Sequence, residues 1–465
     1  MIKHIGFYLK KSSYKLFAYK CTHLILSIGF FYIFFILFRY GSLFQIDSYG
    51  FRYNYYVALI YGAMMVFFIR TYNAYFLGYT RIRTLIFGLF LSHLLSIVIL
   101  YIIISIAWNK FINPLVFLLM LMIQLILDII WSYYGNALFY KLYGKRKTLL
   151  IYRNIIDKIR FGTIKGKPTE RIYEVVDELQ YDGSFSSLKD KLIGYDTIFV
   201  AGVNSRCRNG ILKYCKENNV YGLFLPHIGD TIMQDAKHVP AFDSPVLAIS
   251  RKELSPEFAI IKRLFDIISS GIALILLSPI IGLTALVIHL YDGGPAFYRQ
   301  TRLTRDGKEF KILKFRSMRV DAEKDGVARL STGENDDRVT PVGKIVRRYR
   351  LDEIPQLWNI FKGDMSVVGP RPERPEIAEQ YYQNMPEFKL RLQVKAGLTG
   401  YAQVYGKYNT SPYEKLEFDL LYINNMNILI DVQLCFATLM TVFKKESTEG
   451  VTGVTAEIKE MKSTD

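Results

Sequence analysis

Hydrophobic positions along this chain follow two regimes. In the first 140 residues they form long runs, roughly Cys21 to Phe38, Tyr55 to Ile69, Leu85 to Ala107 and Leu115 to Trp131. A helix needs about 20 apolar residues to cross a bilayer core. Residues 1–140 are therefore predicted to form a bundle of four transmembrane helices, with the second run the shortest. The first run is too long for a cleavable signal, and no small-residue cleavage site follows it. Lys3, Lys10, Lys11, Lys15 and Lys20 precede the first run; Arg70, Arg81 and Arg83 separate the second from the third; Lys141, Lys145, Arg146 and Lys147 follow the fourth. The other two loops carry few basic residues, so both ends of the bundle are expected to face the cytoplasm. No acidic or basic residue is read as lying mid-span, which suits a plain anchor.

After residue 140 the runs shorten and alternate with helical patterns. "TLLIY", "YDTIFVAG" and "VYGLFLP" read as buried strands, and "GILKYCKENN" as a helix between two of them. Residues 141–250 are thus predicted to be a cytoplasmic Rossmann-like α/β domain. The turn after its first strand, "IYRNIID", has no glycine, and the chain holds neither a G-x-G nor a P-loop. A regulatory or packing role is expected for this domain in place of dinucleotide or ATP binding.

Residues 255–292 restore a long apolar run. Ser255 suits a helix cap, Pro256 the first turn and Glu257 the positive end of the helix dipole. From Ile267 to Ile288 there is no Asp, Glu, Lys or Arg, so length alone permits a fifth crossing. Charge argues against one. Arg299, Arg302, Arg305, Lys308, Lys311, Lys314 and Arg316 follow directly, and segments this basic stay inside. Pro279 removes the hydrogen bond to the Ile275 carbonyl, and Ser278 offers a hydroxyl to the freed backbone. The expectation is a re-entrant helix, bent at Ser278-Pro279, with Lys262 and Arg263 at the headgroups and Asp266 one turn on, placed to pair with them.

Residues 293–465 are predicted to form an α/β domain at the membrane face. "PAFYRQTRLTRDGKEFKILKFRSM" reads as two strands turned at Asp306-Gly307, with Lys311, Lys314 and Arg316 near one another. The polar stretch "DAEKDGVARLSTGENDDRVTP" reads as a surface loop or lid. In "VGKIVRRYRLDEIPQLWNIFKGDMSVVGPRP", Pro355 starts a helix running to about Phe361 and Gly363 ends it. Asp352 and Glu353 then lie at a helix start beside Arg347, Arg348 and Arg350, where both are expected to be ionised at neutral pH. That disfavours a general acid and leaves metal ligand or nucleophile. Pro370 and Pro372 restrict Arg371, whose guanidinium matches phosphate oxygens.

Charge fits this picture. Lys and Arg total 59 against 42 Asp and Glu, a net charge of +17, which suits a phosphate-bearing partner. The positive charge lies beside membrane segments with no nucleic-acid recognition motif, so no nucleic acid is expected. The four cysteines, Cys21, Cys207, Cys215 and Cys435, form no CxxC pair, so they predict neither a zinc site nor a disulfide framework.

Taken together in this order, "KRLFD", "LLSPI", "KFRSM", "LDEIPQLWNIFKGDMSVVGPRP" and "GLTGYAQVYGK" resemble the bacterial sugar transferases, the monotopic phosphoglycosyl transferases, from about Lys262 to Lys445. With four preceding spans and an α/β domain, the chain resembles the long hexose-1-phosphate members. The resemblance implies a multi-domain α/β enzyme of the bacterial inner membrane with its catalytic domain on the cytoplasmic face. It would transfer hexose-1-phosphate from a UDP-sugar to polyprenyl (undecaprenyl) phosphate, releasing UMP, as the first step of capsule, exopolysaccharide or O-antigen synthesis. It further implies Asp352 as nucleophile, Glu353 as ligand of Mg²⁺, Arg347, Lys314, Arg316 and Arg371 as phosphate-binding groups, and Ser278 and Pro279 as the helix break. Two departures stand out: Thr304 replaces a usual glycine, and Tyr401 a common tryptophan. The rival readings are a membrane-anchored nucleotide-sugar dehydratase or epimerase and a non-catalytic membrane regulator. Oligomeric state is left open.

Overall fold

The computed structural model describes residues 2–40, 52–320 and 322–442, less 108, 110, 112, 156, 159–167, 242–243, 323–337 and 407–409. It divides into two compact units, Met1–Pro226 and His227–Asp465.

In the first unit, helices α1 (Ile2–Tyr40), α2 (Arg52–Thr71), α3 (Ile82–Ala107) and α4 (Pro114–Tyr143) pack as a bundle in which each of α1–α3 meets the next and α4 returns to α1. Three of these contain segments long and apolar enough to cross a membrane, Tyr14–Leu37, Ile82–Ala107 and Pro114–Tyr143. α2, which holds the second predicted span, begins on Arg52 and carries Arg70 in its last turn, yet packs between α1 and α3. Asn113 caps α4 by accepting from Leu115 N at 3.0 Å.

The bundle turns apolar side chains outward and buries polar ones among its apolar core. Ile33, Ile102, Ile106, Leu118, Met122 and Ile126 are exposed, whereas His23, Ser92, His93, Gln124, Asp128 and Ser132 are buried. Such an inversion suits lipid, where polar groups must find partners within the bundle. It also corrects the expectation of spans free of ionisable groups, since the Asp128 carboxylate lies within the bundle. Being flanked by the long apolar run of α4, it is easily read as belonging to the span's end.

A parallel sheet follows in the same unit, in the order β2-β1-β3-β4. Its strands are β1 (Arg146–Tyr152), β2 (Tyr173–Gln180), β3 (Thr197–Ala201) and β4 (Tyr221–Phe224). Helix α5 (Ser205–Glu217) connects β3 to β4 and packs Cys207, Ile211 and Cys215 onto Leu149, Ile151, Ile198 and Val200. The predicted strands are all present. β2 is additional: it is an edge strand, "YEVVDELQ", with mostly exposed positions, so no apolar run announces it. The four cysteines are free thiols.

The second unit begins at His227, not near residue 250 as the sequence suggested. Helix α6 (Ile228–Met233) and strands β5 (Lys237–Ala241) and β6 (Ser244–Ala248) belong to it. Ile228 N donates to the Tyr413 hydroxyl, Asn424 Nδ2 to Thr231 O, and Lys252 pairs with Asp235 at 2.6 Å. The first two pairs lie 185 and 193 residues apart in sequence, so local pattern could not assign the segment.

Helix α7 (Pro256–Asp292) is continuous, capped by Ser255 and ended by left-handed Gly293. One stripe of it docks on the rest of the same unit. Lys262, Asp266 and Ser270 are buried; Ala273, Leu274 and Leu277 pack on Phe310, Ile312 and Leu357; Ile281, Ala285 and Ile288 pack with Phe315 and Val346. The other stripe exposes Ile261, Leu264, Ile268, Ile272, Ile275, Leu276, Leu283 and Leu290. Ser278 Oγ donates to Ile275 O at 2.8 Å, the carbonyl that Pro279 leaves without its usual donor.

The expected pairing of Asp266 with Lys262 and Arg263 is corrected. Lys262 reaches Asp431 at 2.6 Å and the Tyr422 hydroxyl at 3.2 Å; Arg263 donates to the Ile360 and Phe361 carbonyls; Asp266 accepts from Ser366 Oγ and Val367 N. These groups face the protein, not headgroups, because burial leaves them needing fixed partners.

Candidate active site

Strands β7 (Phe297–Leu303) and β8 (Glu309–Phe315) form the expected antiparallel hairpin, turned at Asp306 and Gly307, both with positive φ. Register sets Lys314 opposite Tyr298, so Tyr298, Gln300 and Arg302 share its face. Lys311 does not join Lys314, as the sequence reading expected: odd spacing turns it to the other face, where it is exposed. Thr304 sits in extended backbone, φ −127°, which any residue adopts. Its hydroxyl donates to Asp364 O at 3.2 Å and accepts from Ala396 N at 3.1 Å, tying the hairpin to the rest of the domain.

Helix α8 (Pro341–Arg348) starts at Thr340, whose Oγ1 caps Gly343 N at 2.9 Å. A side chain at Gly343 would place its Cβ 1.9 Å from the Ser317 carbonyl oxygen, so only glycine lets α8 approach the end of β8 this closely. The last turn of α8 presents Arg347, whose Nε donates to Ser317 Oγ at 2.8 Å. The chain reverses through left-handed Arg350, φ 54°, into a short 3₁₀ turn, Leu351–Glu353, that carries the two carboxylates. Helix α9 (Gln356–Lys362) follows and ends at Gly363, φ 103°. Leu351 packs with Phe315, Val346 and Ile288, fixing the turn over the strand end and the membrane-type helix.

Strand β9 (Ser366–Val368) pairs in parallel with β10 (Gly397–Thr399). Gly369 N donates to Thr399 O and Gly397 N to Pro370 O, which positions the Pro-Arg-Pro that follows β9. Arg391 Nη2 donates to Arg371 O at 2.8 Å, and Arg302 Nη1 to Pro372 O at 3.2 Å. The backbone around Arg371 is thus held from two sides. Its side chain donates to Glu353 Oε1 at 2.6 Å, and Lys314 Nζ lies 3.7 Å from the same oxygen.

This geometry divides the carboxylates electrostatically. Burial and the neighbouring Glu353 charge push Asp352 up to about 6, against the opposing pull of Lys314, Arg347 and Arg371. Burial also pushes Glu353 up, but Arg371 and Lys314 outweigh it and hold this carboxyl well below the usual range. The expectation that both are ionised survives at neutral pH, but with unequal margins. Lys314 is lowered by burial and by the nearby Arg371 and Arg302 charges, and burial brings Arg302 down to about 10. Several cations crowded against each other favour an incoming anion.

Among the described residues, both Asp352 oxygens and Glu353 Oε2 have no hydrogen-bond partner, since Glu353 is engaged only through Oε1. An oxygen-liganded divalent ion such as Mg²⁺ takes one or two carboxylates and completes its shell with phosphates and water. These free oxygens fit that requirement. Asp352, ionised and unencumbered, is also free to act as a nucleophile.

Of the predicted residues, Asp352, Glu353, Arg347, Lys314 and Arg371 converge. Arg316 is turned elsewhere: it is buried and hydrogen-bonded to Asp292 at the end of α7. Ser278 and Pro279 lie within α7. The predicted loop or lid over residues 321–341 lies mostly outside the described residues. Arg302 joins the converging residues, and its alternation with Gln300 and Tyr298, the last of these opposite Lys314, is the signal that finds it. The buried Arg391–Asp419 pair, 2.8 Å, which supports Arg371 through its carbonyl, has no local signature.

Residues 257–445 match the bacterial sugar transferase family. The chain is similar to the UDP-glucose:undecaprenyl-phosphate glucose-1-phosphate transferase of Escherichia coli (strain K12), 42% identical over 211 residues, 44% of this chain and 43% of that protein. It is similar to the UDP-N-acetylgalactosamine-undecaprenyl-phosphate N-acetylgalactosaminephosphotransferase of Aeromonas hydrophila, 40% identical over 191 residues, 40% of this chain and 45% of that protein. Both matches thus span less than half of the relative's length. The exopolysaccharide production protein PSS of Rhizobium leguminosarum bv. phaseoli is 38% identical over 191 residues, 39% of this chain and 94% of that protein.

Proposed function

Because this chain belongs to the bacterial sugar transferase family, we propose that it transfers a hexose-1-phosphate from a UDP-sugar to undecaprenyl phosphate, opening the synthesis of a surface polysaccharide. The observation that carries this is the split pair: Asp352 without hydrogen-bond partners, beside Glu353 held by Arg371 and Lys314. The relatives' names support the donor and acceptor classes, and they differ in the sugar.

In the proposed reaction, an Asp352 carboxylate oxygen attacks the sugar-bearing phosphorus. The bond from that phosphorus to the bridging oxygen breaks, and UMP leaves with the electron pair. A phosphate oxygen of undecaprenyl phosphate then attacks the same phosphorus, and Asp352 departs as carboxylate. No net proton is required in either step. Arg371 and Lys314 hold Glu353 and present positive charge where the diphosphate's oxygens gather charge. Glu353, with Asp352 beside it, would hold Mg²⁺, which supplies charge neutralisation on the phosphates when bound.

The membrane placement follows from α7. Its two ends, through Lys262–Asp431 and Asp292–Arg316, dock on the same unit, while its other stripe exposes apolar residues. A helix tied at both ends to one water-soluble unit is read as re-entrant, dipping into one leaflet at Ser278-Pro279 rather than crossing. Trp358 and Phe361, exposed and stacked at 6.0 Å beside α7, suit the interface. With the bundle oriented by its basic loops, this unit faces the cytoplasm of the inner membrane.

The test uses membranes, Mg²⁺ and undecaprenyl phosphate with a panel of UDP-sugars, scored by UMP release. Release with one UDP-hexose, and sugar-phosphate trapped on Asp352 when acceptor is omitted, are expected. Full activity in Asp352→Asn overturns the assignment.

A further inference from the structure

The anchor bundle contains a cluster that sugar-phosphate transfer does not use. His23 on α1, His93 on α3 and Asp128 on α4 are buried, and their ligand-type atoms lie within 4.8 Å of one another. His23 Nε2 is 3.0 Å and His93 Nε2 is 3.2 Å from the same oxygen, Asp128 Oδ1. Asp128 Oδ2 is buried without a hydrogen-bond partner.

The hydrogen bonds around His93 leave a place for a cation between these groups. Gln124 Nε2 donates to Ser27 O at 3.4 Å, which orients its Oε1 towards Tyr61. The Tyr61 hydroxyl spends its one proton on that Oε1, at 3.0 Å. Its contact with His93 Nδ1, 2.7 Å, is therefore one in which Nδ1–H donates. Nε2 then meets a carboxylate oxygen across 3.2 Å, a contact that takes a shared cation, either a proton or a metal ion, and the unpartnered Asp128 Oδ2 beside it favours the metal ion. His23 has a matching outer partner, Tyr75, with its hydroxyl 2.7 Å from Nδ1. Metal-bound histidines are typically oriented in this way through the other ring nitrogen.

We propose that His23, His93 and Asp128 form a structural site for a zinc-class divalent cation that ties α1, α3 and α4 together inside the membrane bundle. Two imidazoles and a carboxylate suit Zn²⁺, whose ligand bonds of about 2.0–2.2 Å set neighbouring donors about 3 Å apart. Asp128 Oδ2 or a water completes the shell. The ion's charge also accounts for a carboxylate placed in an apolar bundle.

Full-length protein in detergent is incubated with ZnCl₂, passed through gel filtration and analysed for metal by mass spectrometry; CoCl₂ replaces it for visible spectra. About one Zn²⁺ per chain is expected, with the intense ligand-field bands of low-coordinate cobalt. Asp128→Asn and His93→Gln should lose the metal. Tyr61→Phe, which removes one hydroxyl and keeps the packing, should weaken retention about 10–100-fold. Wild-type protein that elutes as a folded species yet holds no more Zn²⁺ than the Asp128→Asn variant, or Zn²⁺ retention insensitive to both the ligand changes and Tyr61→Phe, overturns the site.

Discussion

Asp352 and Glu353 are neighbours of the same charge, yet neutralising each should move stability in opposite directions. In the folded chain Asp352 is raised from the ordinary 3.8 to about 6. That rise corresponds to about 3 kcal/mol between its two protonation states. Solvent still reaches the group, and screening reduces the effect to about 1–2 kcal/mol. The sign follows from linkage: a carboxyl raised in the fold does no harm below its ordinary range, and its penalty accrues as pH climbs through about 6. Asp352→Asn removes that penalty at pH 7.5. A gain of about 1–2 kcal/mol in a unit of this size raises the midpoint by about 3–6 °C, and by about half as much at pH 5. Glu353→Gln does the reverse. Its carboxylate stabilises the fold at neutral pH because it answers Arg371 and Lys314; without it those cations face each other. Breaking a buried pair costs about 3–5 kcal/mol, and the 43% exposure of the Arg371 side chain brings this nearer to about 1–2. The assay is thermal unfolding of the full chain in detergent with EDTA, at both pH values. Equal destabilisation by the two variants, or an Asp352→Asn gain that ignores pH, refutes the electrostatic division.

Other outcomes follow from the same geometry. UMP release should fall about tenfold per pH unit below about 6, as Asp352 protonates, measured under saturating UDP-sugar in mixed buffers. Arg371→Lys should keep the charge near Glu353 but lose the planar guanidinium donors left for phosphate, lowering kcat by about 10²-fold while the protein still folds. Gly343→Ala should displace α8 from the Ser317 carbonyl, 1.9 Å from the new Cβ, and lower both activity and melting midpoint. Asp431→Asn should unfasten Lys262, in the first turns of α7, and destabilise the second unit by about 3 kcal/mol, read as a lowered melting midpoint.

The sequence by itself determined the apolar spans, three strands of the parallel sheet, the Asp306-Gly307 turn, the helix after Pro355 and the hydroxyl that answers the carbonyl freed by Pro279. All of these depend on residues near one another in the chain, where periodicity, capping and proline sterics act directly. The carboxylate pair and Arg371 were also legible, because the charges are dense and the prolines local. Tertiary structure alone decided what each charge faces. It sent Arg316 to Asp292, Asp266 to Ser366 and Lys262 to Asp431, and it brought Arg302 of the hairpin to the Pro-Arg-Pro that carries Arg371. It likewise drew His23, His93 and Asp128 from three helices to within hydrogen-bond range. A buried ion takes whichever partner the fold brings to its low-dielectric surroundings, and that choice spans up to 169 residues between Lys262 and Asp431.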